Sequence, residues 1–431
     1  MKTIKTIKTI LTVIAIIISV SGFTQNRNLD NYRSPDKDGI NVFETPKDTV
    51  STFENIKVRI GGAFALQFQA IGHENAADEV LNDNGANINQ LYAIGNNFNL
   101  ATANLDIDVA LFDGINLHLR TYLSSRHHPE PYVKGGYITI DNLNFIEEGF
   151  LSEIMKSVTV KIGHMENNYG DSHFRRSDNA QALYNPFVGN YIMDAFTTEV
   201  GAEVYYQNNH WLAMLGVTNG KLNQTASEMT TSPSTIAKLG YDRQMNDDLR
   251  LRLTGSVYHT AHSSRTYLYS GDRAGSRYYF VLENAAASSS ANYTSGRFNP
   301  GLNNELTAIM FNPFVKYKGI EFFGLVEVAS GKTAAETDTR DFTHIGAELL
   351  YRFGANENFY IGGRYNNVSG EIASGEDVDI TRFNLGAGYF MTKNILAKLE
   401  YVNQKYDGFA STDRFHEGKF NGVVFEAVIS F

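Results

Sequence analysis

The sequence predicts an all-β protein: a transmembrane antiparallel β-barrel of about 16 strands, joined by turns that are short at one end and loops that are long at the other. Three observations carry this. Apolar and polar residues alternate with period two along most of the chain, the signature of strands with one apolar face. Within these stretches the more apolar parity holds almost no Asp, Glu, Lys or Arg, Arg243 at the end of one being the exception, as a lipid-facing wall requires. The connections alternate between short and long.

The first element is not part of the barrel. Lys2, Lys5 and Lys8 precede an apolar run, Ile10 to Val20, and Gly22 and Thr24 are small residues placed for cleavage before Gln25. Residues 1–24 therefore read as a secretory signal peptide. The run is too short for the roughly 20 residues that a spanning helix needs. The chain has no cysteine, which excludes an N-terminal lipid anchor, and a net charge of −10 argues against nucleic acid as a partner. Residues 25–56 are rich in Asn, Asp and Thr. They read as a polar tail in the periplasm, with a short plug as the alternative.

The barrel is expected over residues 57–431. In the first strand Val58, Ile60, Phe64, Leu66 and Phe68 oppose Arg59, Gln67 and Gln69. In the second, Leu105, Ile107 and Val109 oppose Asp106 and Asp108, and Asp113-Gly114 then turns the chain into Ile115–Leu123. Further strands are expected at 136–141, 158–165, 197–206, 211–217, 235–243 and 249–258. The rest fall at 306–317, 320–329, 342–353, 359–365, 381–390, 395–402 and 420–431. Two features break the pattern. Residues 142–157 stand where a short turn belongs. Pro313 falls inside a strand, where it predicts a bulge or a misplaced strand boundary. Tyr206, Trp211, Tyr241, Tyr317, Tyr351, Phe353, Phe359, Tyr389 and Phe431 lie at short-turn ends on the apolar parity and form a ring at one membrane interface.

The last strand ends on Phe431, on the apolar parity. It resembles the terminal strand by which bacterial outer-membrane β-barrels engage their barrel-assembly machinery. That resemblance implies an outer-membrane location, contact with outer-membrane lipid, short turns in the periplasm and long loops outside. The third long loop, Glu166–Phe196, mixes Glu166, Asp171, Arg175, Arg176, Asp178 and Asp194 with apolar anchors such as Phe174, Leu183, Phe187 and Ile192, so it is expected to be packed. Here the chain resembles outer-membrane porins, whose third loop folds inward. The stretch KIGHMENNYG at Lys161–Gly170 is similar to the strand-to-loop passage of the phosphate-selective porin O and P group. The resemblance implies a channel for small hydrophilic solutes or ions, a homotrimer, and a constriction at the loop.

Strand parity places Arg59, Asp106, Asp108, Arg120, Glu199, Glu203, Arg250, Arg252, Arg352, Arg364 and Arg382 on the pore wall. Both signs are present, which departs from the basic track of a phosphate pore. His127-His128 and His259/His262 lack ligand spacing, so no metal or cofactor is expected. No GxSxG, HExxH or phosphate-binding loop is present, so no catalytic residue is assigned. A gated transporter with an N-terminal plug, a barrel enzyme and a structural surface barrel remain as alternatives to the porin.

Overall fold

A computed structural model describes residues 29–48, 50–123, 132–177, 182–220, 231–270 and 277–431. Residues 1–24, read as a signal peptide, and Asp178, His127-His128, Pro129 and Pro131 lie outside them. Sixteen antiparallel strands form one closed barrel. They are β1 (Lys57–Glu74), β2 (Asn97–Phe112), β3 (Ile115–Leu123), β4 (Tyr132–Ile140), β5 (Val158–Glu166), β6 (Thr198–Asn208), β7 (Trp211–Thr218) and β8 (Ser234–Gln244), followed by β9 (Leu249–Thr260), β10 (Glu305–Tyr317), β11 (Ile320–Lys332), β12 (Arg340–Phe353), β13 (Phe359–Glu371), β14 (Asp377–Thr392), β15 (Ile395–Asp407) and β16 (Lys419–Ser430).

Closure removes the free edge that an amphipathic terminal strand would expose. β16 pairs with β1 from Ala63↔Ser430 to Glu74↔Lys419, and Phe431 exchanges both backbone hydrogen bonds with Gly62 at 3.0 Å. Several strands run further toward the long loops than alternation indicated. β13 reaches Glu371, β14 begins at Asp377 and β15 reaches Asp407. Beyond the bilayer both strand faces meet water, so period two fades while the hydrogen-bond ladder continues.

Outward side chains form the lipid face. Ile60, Leu215, Leu239, Leu349 and Phe425 are among the most exposed apolar residues. At the short-turn rim Tyr351, Phe353, Phe359 and Tyr389 stack in sequence with ring centroids 4.5–5.7 Å apart, and Trp211 meets Tyr241 edge-on at 5.0 Å. This is the aromatic ring read from the sequence.

The turn at Asp113-Gly114 and the proline at 313 each have a local explanation. At Asp113-Gly114 the glycine takes φ 65° and the β2–β3 register shifts between Ala110 and Phe112, so the hairpin closes through a bulge. At Pro313 there is neither a bulge nor a misplaced strand. The pairing of β10 with β9 runs straight through it, and its register with β11 is the same on both sides of an interruption at residues 312–313. Gly324 makes the room: a Cβ there would lie 2.7 Å from the proline ring. The Asn312 side-chain amide donates to the Gly324 carbonyl at 3.1 Å, replacing the missing ladder bond. Residues 142–157 are a long connection on the short-turn side. They hold one helical turn, Ser152–Met155, entered through Leu151 at φ 50°.

The apolar core lies inside the barrel. Met310, Phe314, Phe323, Leu325 and Phe342 face inward from β10–β12 and pack with Tyr169, Val188, Ile192 and Met193 of the 166–196 connection.

Candidate functional site: the barrel interior

β5 delivers the chain into the 166–196 connection at Glu166, whose carboxylate lies 2.6 Å from His173 Nδ1. Asp171 accepts from Arg252 Nε (2.8 Å) and the Thr254 hydroxyl (2.8 Å) and pairs with Lys238 (2.7 Å), while its own N–H donates to Asn312 (2.8 Å). Burial raises the Asp171 carboxyl, but the two cations more than offset that and hold it below the usual carboxylate range. Arg175 ends the 3-10 turn Ser172–Arg175 and Arg176 follows in extended conformation, and the two reach different partners. Arg175 pairs with Glu321 (2.8 Å) and Glu348 (2.9 Å). Arg176 pairs with Asp194 (2.7 Å) and lies 4.0 Å over the Phe196 ring. Both are 3% exposed, so each is committed to protein partners rather than to open water. Asp194 also pairs with Arg297 at 3.4 Å.

The side chains assigned to the interior by parity do face it. Arg59 and His118 share Asp108, and Arg120 grips Asp106 through two nitrogens at 2.7 and 3.0 Å. Glu203 accepts the Asn168 N–H (2.9 Å), and Glu199 accepts the Tyr258 hydroxyl (3.2 Å). Arg250 holds Asp242 at the rim, and Arg352 holds Glu321. Arg364 reaches Glu348 (2.8 Å) and the Gly189 carbonyl (2.6 Å). Arg382 donates to Gln404 and to the carbonyls of Asn190 and Gly296. A charge drawn from water this far is stable only when an opposite charge or several hydrogen bonds meet it: most of these side chains are ion-paired, whereas Glu199 and Arg382 are met by neutral donors and acceptors.

Sequence reasoning left one segment open and missed another. Residues 29–48, read as a polar tail with a short plug as the alternative, are bonded around the short-turn mouth. The Tyr32 hydroxyl donates to Asp108 on β2, and Lys37 N–H to the Lys393 carbonyl between β14 and β15. Asn41 donates to Glu321 on β11, Glu44 pairs with Arg252 on β9 and Lys238 on β8, and Lys47 reaches Asp141 after β4. Phe43 packs edge-on against Phe174 and Phe314. Polar composition alone looks disordered, because its stabilising partners lie hundreds of residues away. The second segment follows β9, where Tyr278 donates to Glu400 (2.6 Å) and Arg277 pairs with Glu426. The run YYFVL at Tyr278–Leu282 was the available signal, since a loop in water has no use for it.

A cavity of about 220 Å³ is lined mainly by β2–β6 and residues 29–46. Among the described residues no cluster of three or more His, Asp or Glu has the geometry to hold a metal.

No protein-family model and no curated relative matches the sequence. Solved structures do match in fold. The anion-selective porin from Comamonas acidovorans superposes with TM-score 0.52 at 11% identity, covering 88% of this chain and 100% of its own. The outer membrane channel DcaP of Acinetobacter baumannii gives 0.52 at 12%, covering 88% and 98%. The trimer form of OmpT, an outer membrane protein of Vibrio cholerae, gives 0.50 at 12%, covering 88% and 100%. At such identities the likeness is one of fold, that of bacterial outer-membrane barrels.

Proposed function

We propose that this outer-membrane barrel is a porin-type channel for small hydrophilic or ionic solutes, with no enzymatic activity. The observation that carries the reading is the contrast between its two faces: a lipid-compatible exterior, and an interior that keeps ionised side chains across the depth of the membrane. Residues 166–196 act as an inward-folded loop that narrows the passage, with Asp171 and Arg175 tying it to the wall and Arg176 and Asp194 pairing within it. Support for that role comes from their ion pairs with β8, β9, β11 and β12 and with the loop itself.

The likeness to the phosphate-selective porin group rests on Lys161–Gly170 alone, and the matched signs of the wall offer phosphate no continuous basic track. A homotrimer is proposed on the likeness to a barrel described in trimer form. A second reading, a gated channel with residues 29–48 as its plug, is favoured by their bonding around the mouth.

The test is single-channel current in a planar bilayer with a KCl gradient. Ohmic steps support the open channel, and current that appears only with a ligand supports the gated one. Purified protein that passes no current and hydrolyses substrates instead sinks both. In the same bilayer Arg175→Ala with Arg176→Ala should raise conductance and cation preference, since it removes two positive charges where water screens least. Wild-type conductance and reversal potential in that variant would remove the loop from the constriction.

A further inference from the structure

One row of the lipid face is interrupted. Strand register sets Phe322, Leu349, Gly363 and Leu385 side by side on the outer surface of β11–β14, and Gly363 leaves a gap between two leucines. Ala347, two residues from Leu349 on the same face, adds a second small position. Over these two a groove of about 600 Å³ opens on the outer wall, bordered by Phe322, Leu349, Ile361, Tyr365 and Phe383. That size falls within the roughly 300–1,000 Å³ of small-molecule sites. Among the described residues that border it Glu348 alone is charged, and its carboxylate is turned into the lumen, where Arg175 and Arg364 hold it. The groove is therefore apolar.

Gly363 is the residue that needs a reason. A glycine inside a strand weakens it and marks a bulge, a bend, or a place where a ligand or another backbone comes close. The register of β13 runs unbroken against both β12 and β14, so no bulge calls for it. The adjacent Gly362 faces inward and has a packing reason: a Cβ there would lie 2.3 Å from Leu350 Cδ2 and 2.4 Å from the Leu349 carbonyl oxygen. A Cβ at Gly363 would meet nothing nearer than 3.6 Å. The packing of the protein leaves room for a side chain at 363, and the space kept free is on the bilayer side.

We infer that this groove is a binding site for a phospholipid acyl chain. The surroundings decide the occupant. Exposed apolar side chains continue the lipid face around it, Leu385 and Ile345 among them. The stacked rings of Tyr351, Phe353, Phe359 and Tyr389 stand on its short-turn side. A girdle of this kind belongs where a wall meets lipid headgroups, and a subunit seated on this arc would cover it. Gly363 lies four residues into β13 from Phe359, about 14 Å along the strand at 3.4 Å per residue, within the half of the roughly 30 Å hydrocarbon core nearer the short turns. A chain whose headgroup rests at the girdle therefore reaches the groove. There it touches a floor and two walls, where a flat surface offers one side only, and gains the added dispersion contacts. The site needs the membrane barrel and not the passage of current.

Gly363→Leu fills the groove from its floor without displacing backbone. Gly255→Leu is the control, at a lipid-facing glycine of β9 whose Cβ would meet nothing within 4 Å. Full-length protein extracted from outer membranes in mild detergent is weighed by native mass spectrometry. Wild type and Gly255→Leu should each carry a bound phospholipid, and Gly363→Leu should lose it. Heat-modifiable migration on gels verifies that each variant is folded. Wild type that carries no phospholipid, or carries lipopolysaccharide instead, overturns the site, as does Gly363→Leu that keeps its lipid. The chain has no cysteine, so Leu349→Cys takes a single nitroxide at the groove wall. In phospholipid vesicles that label should be relaxed by dissolved oxygen and not by an aqueous nickel chelate. Shielding from both places a second copy over the groove and overturns the lipid as its occupant.

Discussion

At the scale of single residues, the interior shows how far a strand pattern can be read. Arg364 and Glu348 were legible as inward-facing because parity fixes a side, and their cross-strand pairing follows from register. That Arg175 would join them was not legible: it is 173 residues from Glu348 in the chain. Glu44 is the clearest such case. Arg252 and Lys238 outweigh its burial and hold its carboxyl at about 2, against an ordinary 4.5. Its contribution to docking residues 29–48 is therefore complete above pH about 4.5 and is lost as pH falls through about 2. A nitroxide at Thr45→Cys should give an immobilised spectrum at pH 6 and a mobile one near pH 2. A label already mobile at pH 6, or immobile throughout, would contradict the role given to Glu44.

At the scale of elements, Pro313 and Gly324 form one unit across two strands. The proline needs the glycine for its ring, and the ladder needs the Asn312 amide in place of the lost N–H. Gly324→Val should drive a side chain into the ring and lower the denaturant midpoint of the folded barrel, by an amount typical of overpacking, about 1–3 kcal/mol. Pro313→Ala added to it should recover much of the loss. If Gly324→Val unfolds at the wild-type midpoint, the two positions are independent. A proline in a strand was legible as an anomaly. Its remedy was not, because it sits on a neighbouring strand as a residue that reads as an ordinary glycine.

At the scale of the whole molecule, the closed barrel was legible almost throughout, because one physical demand, apolar out and polar in, writes itself on every strand. What fills the barrel was not, since segments packed in a polar interior carry no periodicity. The topology makes two predictions. Epitope tags inserted in Ala285–Ala291 should be reached by antibody on intact cells, and tags at Met391–Asn394 should not; the opposite labelling would invert the orientation. Phe431→Ser should leave export intact but reduce the membrane-inserted, heat-modifiable form, because Phe431 seals the β16–β1 seam opposite Gly62 with its ring on the lipid face. Normal insertion of that variant would rule out a role for the terminal aromatic in assembly.

The bonds that seat residues 29–48 also impose a schedule. The Pro35 carbonyl is held by the Ser430 hydroxyl, 395 residues later in the chain, and Lys37 and Asp36 are held by Lys393. None of these partners exists when the early segment is made, and Ser430 takes its place only when β16 meets β1. The segment therefore finds these bonds only after the last strands are in place. Settling of the earliest ordered residues and closure of the barrel are thereby tied to the same late moment in assembly.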